Sequence, residues 1–212
     1  MLELCLVRHG QTACSVKGCY CGGGCDVSLT NVGLAMADAV ATRLASTPWK
    51  AIYSSPLKRA LESARPLVER RASQVREMPE LRELDYGRWD GRMPEELRGE
   101  ESKAYAAWLD DPATVAPPGG ETARAVAARA TAALETIKSQ HASGPVVVFS
   151  HKCTIRILTS ILLGSPLRSY RRQVPQPLAA LTVFEIDASG AQPVCLGDVS
   201  HLPEDLRAVA GG

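Results

Sequence analysis

Two histidines follow apolar segments that have the length and composition of buried strands. Arg8-His9-Gly10 comes directly after Leu4–Val7, and Ser150-His151 comes directly after Val146–Phe149. In an open α/β sheet, ligands bind at the carboxyl ends of the strands, so side chains that follow two strands can meet in one pocket. We therefore expect the two imidazoles to lie in the same site.

A third strand end supplies further positive charge. The short apolar segment Ala51–Tyr53 is followed by the turn Ser54–Arg59, which ends in Lys58 and Arg59. Arginine guanidinium groups pair with phosphate oxygens in a bidentate manner, and a helix N-terminus adds backbone N–H donors. Two histidines and two arginines at one edge of a sheet therefore point to the binding of a phosphoryl group.

The segments between these residues alternate between strand and helix patterns. Thr30 is expected to cap a helix that runs to about Ser46, and Ser55 to cap a second helix with Pro56 in its first turn. Pro66 should kink or split that second helix. Further predicted elements are a helix at about Glu121–His141, the strand Val146–Phe149, a helix after His151 that stops at Gly164, and a final strand pair at Leu178–Ile186 and Pro193–Val199.

This order of elements predicts an α/β fold, a three-layer sandwich whose mostly parallel central sheet carries helices on both faces. The chain has 212 residues, of which 45% are hydrophobic, so it can bury a full core. The sequence has no evident linker and no internal repeat. We therefore expect a single domain that comprises residues 1–212.

Charge and hydropathy exclude several kinds of partner. The net charge is +1, which provides no general field for nucleic acid or for an anionic membrane. The longest apolar stretch of the predicted helices, Ile157–Leu163, is much shorter than the roughly 20 residues that span a bilayer. The N-terminus has neither a basic leader nor a small-residue cleavage site, so we expect no secretory signal and a cytoplasmic location.

Seven cysteines, an odd number, indicate reduced thiols rather than a disulfide framework. Four of them fall in one short glycine-rich segment and could in principle hold zinc: Cys14, Cys19, Cys21 and Cys25. Their spacing is irregular and lacks paired C-x-x-C units. We therefore predict free loop thiols, and no metal, in this segment.

Five motifs together resemble the histidine phosphatase superfamily, which is also called the phosphoglycerate mutase-like family. They are Arg8-His9-Gly10-Gln11-Thr12, the turn Ser54–Ala60, the segment Leu81–Gly91, Gly119-Gly120-Glu121 and Ser150-His151. The resemblance covers essentially the whole chain, in the order and spacing of the family. Within the family, the chain looks most like small bacterial phosphatases such as alpha-ribazole phosphatases and metal-independent phosphoserine phosphatases.

The resemblance implies a role for each motif. His9 would be the nucleophile that becomes phosphohistidine, and nearby Arg8 and Arg59 would disfavour its protonation. Arg8, Arg59 and His151 would bind the equatorial oxygens as charge spreads over them. Glu83 would protonate the leaving alkoxide and then take a proton from water. The mouth of the site would be lined by Thr12, Ser15, Cys21 and Gly22, and no metal or other cofactor is implied.

The chain also departs from the family. Ser15 stands where asparagine is usual, which puts its contact with phosphate in doubt, and Lys152 stands where glycine is frequent, which adds an ammonium group for anion binding. A cluster such as Arg168, Arg171 and Arg172 is more often a solvated face, although it could receive a substrate carboxylate or a second phosphate. Trp89 and Trp108 are expected in the core or the pocket wall.

These observations predict a phosphomonoesterase that acts on a small phosphorylated metabolite. Two alternatives stay open, namely a cofactor-dependent phosphoglycerate mutase and a catalytically idle phosphate-binding module. Hydrolysis is favoured because Glu83 and Gly120 are only 120 − 83 = 37 residues apart, whereas the mutases carry a longer insertion there. The sequence does not identify the metabolite. It also leaves the oligomeric state open, a homodimer included.

Overall fold

Four neighbouring strands of a six-stranded sheet run parallel to one another. The computed structural model describes residues 1–209, so the last three residues of the expected 1–212 domain lie outside the described residues. The strand order is β3-β2-β4-β1-β5-β6, and β5 and β6 are the antiparallel hairpin at one edge. The strands are β1 Leu2–Arg8, β2 Ala51–Ser54, β3 Val75–Glu77, β4 Gly144–Ser150, β5 Leu181–Asp187 and β6 Gly190–Asp198.

The register between β1 and β4 fixes where the two histidines leave the sheet. Arg8 pairs with Ser150 at the last position of both strands, and the backbone N–H of His9 donates to the Ser150 carbonyl at 3.1 Å. His9 and His151 therefore emerge side by side at the carboxyl edge, as the sequence predicts.

Helices cover both faces of the sheet, and the alternation of side chains along the strands builds a core on each face. The helices are α1 Ala13–Lys17, α2 Asn31–Leu44, α3 Lys58–Arg70, α4 Pro94–Glu100, α5 Ser102–Asp110, α6 Ala123–Gln140, α7 Lys152–Leu162, α8 Tyr170–Gln173 and α9 Glu204–Ala208. On one face, Leu4, Leu6 and Val148 pack against α6 and α7. On the other face, Val7 and Phe149 pack against α2 and α3. Within residues 1–209, no helix has the length and apolar character needed to cross a bilayer.

The start of α2 is as predicted, but the start of α3 is not. The Thr30 side chain accepts a hydrogen bond from the backbone of Gly33 and caps α2. By contrast, α3 begins at Lys58, after Pro56, and its N-cap residue Leu57 makes no side-chain cap. The predicted cap by Ser55 is wrong because its hydroxyl group contacts His151 at 2.8 Å and accepts from the Leu57 N–H.

Pro66 does not split α3, which is continuous over Lys58–Arg70. The helix survives the loss of one N–H donor because its inner face is well packed. Ala60, Ala64 and Leu67 are fully buried on that face. The predicted split of the helix is therefore wrong.

The region between α3 and α6 folds into a separate aromatic cluster beside the sheet. Trp89 and Trp108 are fully buried there, as expected, with ring centroids 5.5 Å apart. Tyr20 and Tyr105 join the cluster through their hydroxyl groups, which are 2.8 Å apart. This cluster attaches the loop after α1 to the helices α4 and α5, and it forms one wall of the site described next.

Candidate active site

A cavity of about 310 Å³ opens at the carboxyl edge of the sheet, beside the ends of β1 and β4. Seven of the ten site residues predicted from the sequence line it: Arg8, His9, Thr12, Ser15, Cys21, Glu83 and Lys152. Among the described residues, the cavity lining does not include Gly22, Arg59 or His151. The structure therefore brings most of the predicted site together and places the other three behind its wall.

His9 is held as a neutral imidazole. Its Nδ1 lies 2.7 Å from the carbonyl oxygen of Gly10, which can only accept, so Nδ1 carries the proton. Burial, reinforced by Arg59 and Arg8, holds the pKa of His9 well below 6.5. Within residues 1–209, no hydrogen bond occupies Nε2. The lone pair on Nε2 is therefore available at neutral pH in a side chain that lines the cavity.

Close packing explains the glycine that follows His9. A Cβ atom on Gly10 would lie 2.5 Å from the carbonyl oxygen of Gly33 in α2, a contact that real side chains do not make. The backbone N–H of Gly10 also donates to the Ser63 hydroxyl group of α3 at 3.1 Å. The first turn after β1 is thus pressed against two helices, which fixes the position of the His9 ring.

Arg59 and His151 form a fully buried pair next to His9, and the rings of His9 and His151 are 5.3 Å apart. Arg59 donates from Nε to Nδ1 of His151 at 3.2 Å, so Nε2 of His151 donates to the Ser55 hydroxyl group. Burial, followed by the charge of Arg59, holds the pKa of His151 well below 6.5. The guanidinium group of Arg59 also donates to the carbonyl groups of Cys21, Gly22 and Cys25.

Glu83 lies on the cavity wall at the N-terminus of α7. Its side chain is 5% exposed. One carboxylate oxygen accepts from the N–H of Cys153 at 3.1 Å, and the other from the N–H groups of Leu84 and Thr154 at 2.9 and 3.2 Å. These backbone donors fix the carboxylate, and they also satisfy N–H groups at the start of the helix.

Arg8 and Lys152 place two cationic groups on the same wall. Arg8 is 5% exposed, and burial lowers its pKa from 12.5 to about 10, so it stays charged at neutral pH. It donates to the carbonyl group of Gln176 at 2.7 Å. Burial, with repulsion from Arg8 and Arg156, lowers the pKa of Lys152 from 10.5 to about 8. The charge of Lys152 therefore changes just above neutral pH.

Thr12 and Ser15 cap the short helix α1. The Thr12 hydroxyl group accepts from the N–H of Ser15 at 3.2 Å. In return, the Ser15 hydroxyl group accepts from the N–H of Thr12 and donates to its carbonyl oxygen, both at 2.8 Å. Both hydrogen bonds engage the Ser15 hydroxyl group with the backbone of Thr12. A contact of Ser15 with phosphate would therefore have to replace them.

Gly22 is a structural residue of the loop rather than part of the cavity lining. A Cβ atom there would lie 2.5 Å from the carbonyl oxygen of Leu84, and its N–H donates to a carboxylate oxygen of Asp90. The expected contact of Gly22 with substrate stays a prediction. Gly22 lies one layer behind the mouth, because the loop must pack directly on the backbone that follows Glu83.

Two arginines that line the cavity are not among the ten predicted site residues. The sequence interpretation missed Arg156, whereas Arg171 belongs to the cluster that it named as able to receive a substrate carboxylate or a second phosphate. Arg156 lies one helical turn after Lys152, and this i,i+4 spacing on α7 is the signal that could have revealed it. Arg171 stacks on the Trp108 ring, with its guanidinium carbon 4.0 Å from the ring centroid. Of the predicted surface cluster, only Arg171 reaches the cavity, since Arg168 pairs with Asp110 at 2.8 Å and Arg172 is exposed.

The lining therefore combines a neutral imidazole, a fixed carboxylate and four cationic side chains. Such a set can stabilise the charge of a phosphoryl group while a histidine attacks it. The sequence model of branch 1 of the histidine phosphatase superfamily matches residues 4–199, a range that contains all ten predicted site residues. The chain belongs to this superfamily.

Two curated histidine phosphatase relatives are similar over most of their length. Phosphoserine phosphatase 1 of Hydrogenobacter thermophilus is 32% identical over 170 residues, which cover 80% of this chain and 80% of that protein. Adenosylcobalamin/alpha-ribazole phosphatase of Salmonella typhimurium is 31% identical over 168 residues, which cover 79% of this chain and 83% of that protein.

Solved structures share the same fold. YhfR of Bacillus stearothermophilus has a TM-score of 0.88 and 29% identity, covering 95% of this chain and 99% of that chain. The mycobacterial glucosyl-3-phosphoglycerate phosphatase in complex with inorganic phosphate has a TM-score of 0.84 and 27% identity, covering 95% of this chain and 99% of that chain. The predicted three-layer α/β fold is thus confirmed as that of the superfamily.

Proposed function

We propose that the protein is a phosphomonoesterase that hydrolyses a small phosphorylated metabolite through a phosphohistidine on His9. The observation that carries this proposal is the state of the His9 ring. The ring is neutral, its proton is fixed on Nδ1 by Gly10, and the side chain lines a cavity with four cationic groups. The names of the relatives, which are phosphatases of different metabolites, support the same reaction class.

The proposed reaction has two steps. In the first, Nε2 of His9 forms a bond to phosphorus while the ester P–O bond breaks, and Glu83 gives its proton to the leaving alkoxide. In the second, Glu83 takes a proton from a water molecule, the water oxygen bonds to phosphorus, and the P–N bond breaks. Inorganic phosphate leaves, and Glu83 is protonated again for the next cycle.

Arg8 and Lys152 are the lining groups that we assign to the phosphoryl oxygens. The direct contact of Arg59 and His151 with the phosphoryl group, which the sequence predicts, stays a prediction. Their hydrogen bonds in this structure support a further role, because Arg59 lowers the pKa of His9 and holds the cysteine-containing loop against the site.

The site needs no metal ion in this proposal, since arginine and lysine side chains supply the positive charge that a metal would otherwise bring. Small phosphorylated metabolites are the expected partners. We also propose a cytoplasmic location, which is supported by the seven cysteines, because the structure leaves all of them unpaired.

One assay tests the proposed reaction against both alternatives. Purified protein, treated with a chelator, is supplied with phosphoserine, a chromogenic aryl phosphate and 3-phosphoglycerate together with a bisphosphoglycerate primer. We expect release of inorganic phosphate and negligible formation of 2-phosphoglycerate. A mutase rate above every hydrolysis rate would favour the phosphoglycerate mutase, and the absence of turnover on every ester would favour the idle phosphate-binding module.

A further inference from the structure

Helix α1 and the loop that follows it bring three thiols together beside the active-site cavity. The sulfur atoms of Cys14, Cys21 and Cys25 all lie within 4.8 Å of one another, and each side chain is half-buried. Tetrahedral zinc with Zn–S bonds of about 2.3 Å requires sulfur atoms about 3.8 Å apart. A shift of less than about one ångström per sulfur, within the reach of side-chain rotation, would therefore complete the coordination.

The loop that carries two of these thiols is fixed by hydrogen bonds of its backbone. Buried Arg59 donates to the carbonyl groups of Cys25 at 2.6 Å, Gly22 at 3.1 Å and Cys21 at 3.4 Å. Because the guanidinium group is rigid and fully buried, these bonds fix the backbone of Cys21 and Cys25. Cys14 is held separately, in the capped helix α1. The three ligands are thus positioned by groups other than a metal ion.

The chemistry of the three side chains matches one class of cation. Soft and borderline metal ions select thiolate ligands, and a cation of the zinc type displaces the thiol protons as it binds.

We propose that Cys14, Cys21 and Cys25 form a binding site for one zinc-type cation, separate from the catalytic groups. The fourth coordination position is left to solvent. Binding replaces three neutral thiols by three thiolates and a divalent cation, so the wall that contains Cys21 gains one net negative charge. This charge opposes a phosphate dianion.

The consequence for catalysis rests on the proposed function. Zinc-type cations inhibit hydrolysis by raising KM, and the enzyme works without them.

The test titrates reduced, metal-free protein with Co²⁺, whose charge-transfer bands report cobalt–thiolate bonds, and then displaces Co²⁺ with Zn²⁺. We expect one equivalent per chain and protection of Cys14, Cys21 and Cys25 from alkylation by Zn²⁺. Cys14→Ser and Cys25→Ser should each weaken binding on the order of 100-fold or more, because each removes a ligand. The matched control is Cys195→Ser, which changes a half-buried thiol of β6 and should bind metal as the native protein does.

The outcomes separate the two proposals. Absence of a cobalt–thiolate band at stoichiometric Co²⁺, or equal binding by Cys14→Ser, Cys25→Ser and Cys195→Ser, would overturn the metal site. Circular dichroism of each variant establishes that it is folded, and alkylation of the native protein gives a second readout that needs no variant. If the metal-free protein hydrolyses no phosphate ester, the proposed function fails, while the cobalt titration still decides whether the site exists.

Discussion

Arg59 donates from Nε to Nδ1 of His151 at 3.2 Å, and both side chains are completely buried. This contact fixes the tautomer of His151, since its Nδ1 must accept and its Nε2 must donate to Ser55. The other guanidinium nitrogens of Arg59 bind loop carbonyl groups. One arginine therefore couples the second histidine to the cysteine-containing loop.

Arg59→Lys should destabilise the protein by about 2–4 kcal/mol, because an ammonium group cannot replace a planar guanidinium group that donates to several carbonyl groups at once. Urea unfolding measures the loss, and hydrogen exchange should increase at residues 19–25. The control is Arg65→Lys on the same helix, where the arginine side chain is 60% exposed and only approaches Glu69. Equal stability of the two variants would contradict the assigned contacts of Arg59.

Lys152 should give the reaction a pH dependence above neutrality. Its pKa is lowered to about 8, so the cation is present below pH 8 and is lost as the pH rises through that value. We therefore expect kcat/KM to fall above about pH 8, with less change in Lys152→Arg, which keeps the charge. In Lys152→Met, kcat/KM should be low already at pH 7 and should lack this decrease. If kcat/KM of Lys152→Met fell above about pH 8 by the same factor as in the native enzyme, the titrating group would be another residue.

Glu83 should matter most for esters with poor leaving groups. Glu83→Gln removes the proton donor, and we expect a loss of about 10²–10⁴-fold in kcat for an alkyl phosphate. An aryl phosphate with a nitrophenolate leaving group needs no protonation, so the same variant should lose far less activity on it. The ratio of the two rates is measured within one protein sample and is therefore independent of its stability. An equal loss on both esters would argue against Glu83 as the general acid.

Arg171 should select substrates that carry a second anionic group. It is held over the Trp108 ring and lines the cavity, so we expect Arg171→Met to raise KM for phosphoserine more than for an alkyl phosphate that has no carboxylate. The matched control is the neighbouring variant Arg172→Met, which changes an exposed side chain and should leave both KM values unaltered. A parallel increase for both esters in Arg171→Met would show that Arg171 does not distinguish them.

The sequence predicted the parts of the site that depend on strand ends. His9 and His151 follow apolar runs of β1 and β4, and parallel pairing of such runs leaves few choices of register once both faces are buried. The N-terminus of α2 was predictable for a similar reason, because Thr30 supplies a local hydrogen bond to the helix. These features are encoded by residues that are close in sequence or share one simple pattern.

Other features depend on contacts that local patterns do not encode. Arg171 belongs to a short polar helix. It reaches the cavity while packed on Trp108, a residue that is distant in sequence. Ser55 has the sequence signature of a cap, but its hydroxyl group contacts His151 instead. The strand β3 has three residues, of which two are exposed, and such a segment carries no hydrophobic signal.

The central claim is that His9 carries the phosphoryl group during turnover. The most direct measurement mixes the enzyme with a rapidly cleaved aryl phosphate, quenches the reaction in alkali and locates the added phosphoryl mass by peptide mass spectrometry. We predict an acid-labile phosphoryl adduct on His9. The control variant His141→Ala should form the same adduct. Folded His9→Ala should lose turnover on the order of 10³-fold or more. Absence of an adduct during turnover, an adduct on another residue, or substantial turnover by His9→Ala would contradict the mechanism.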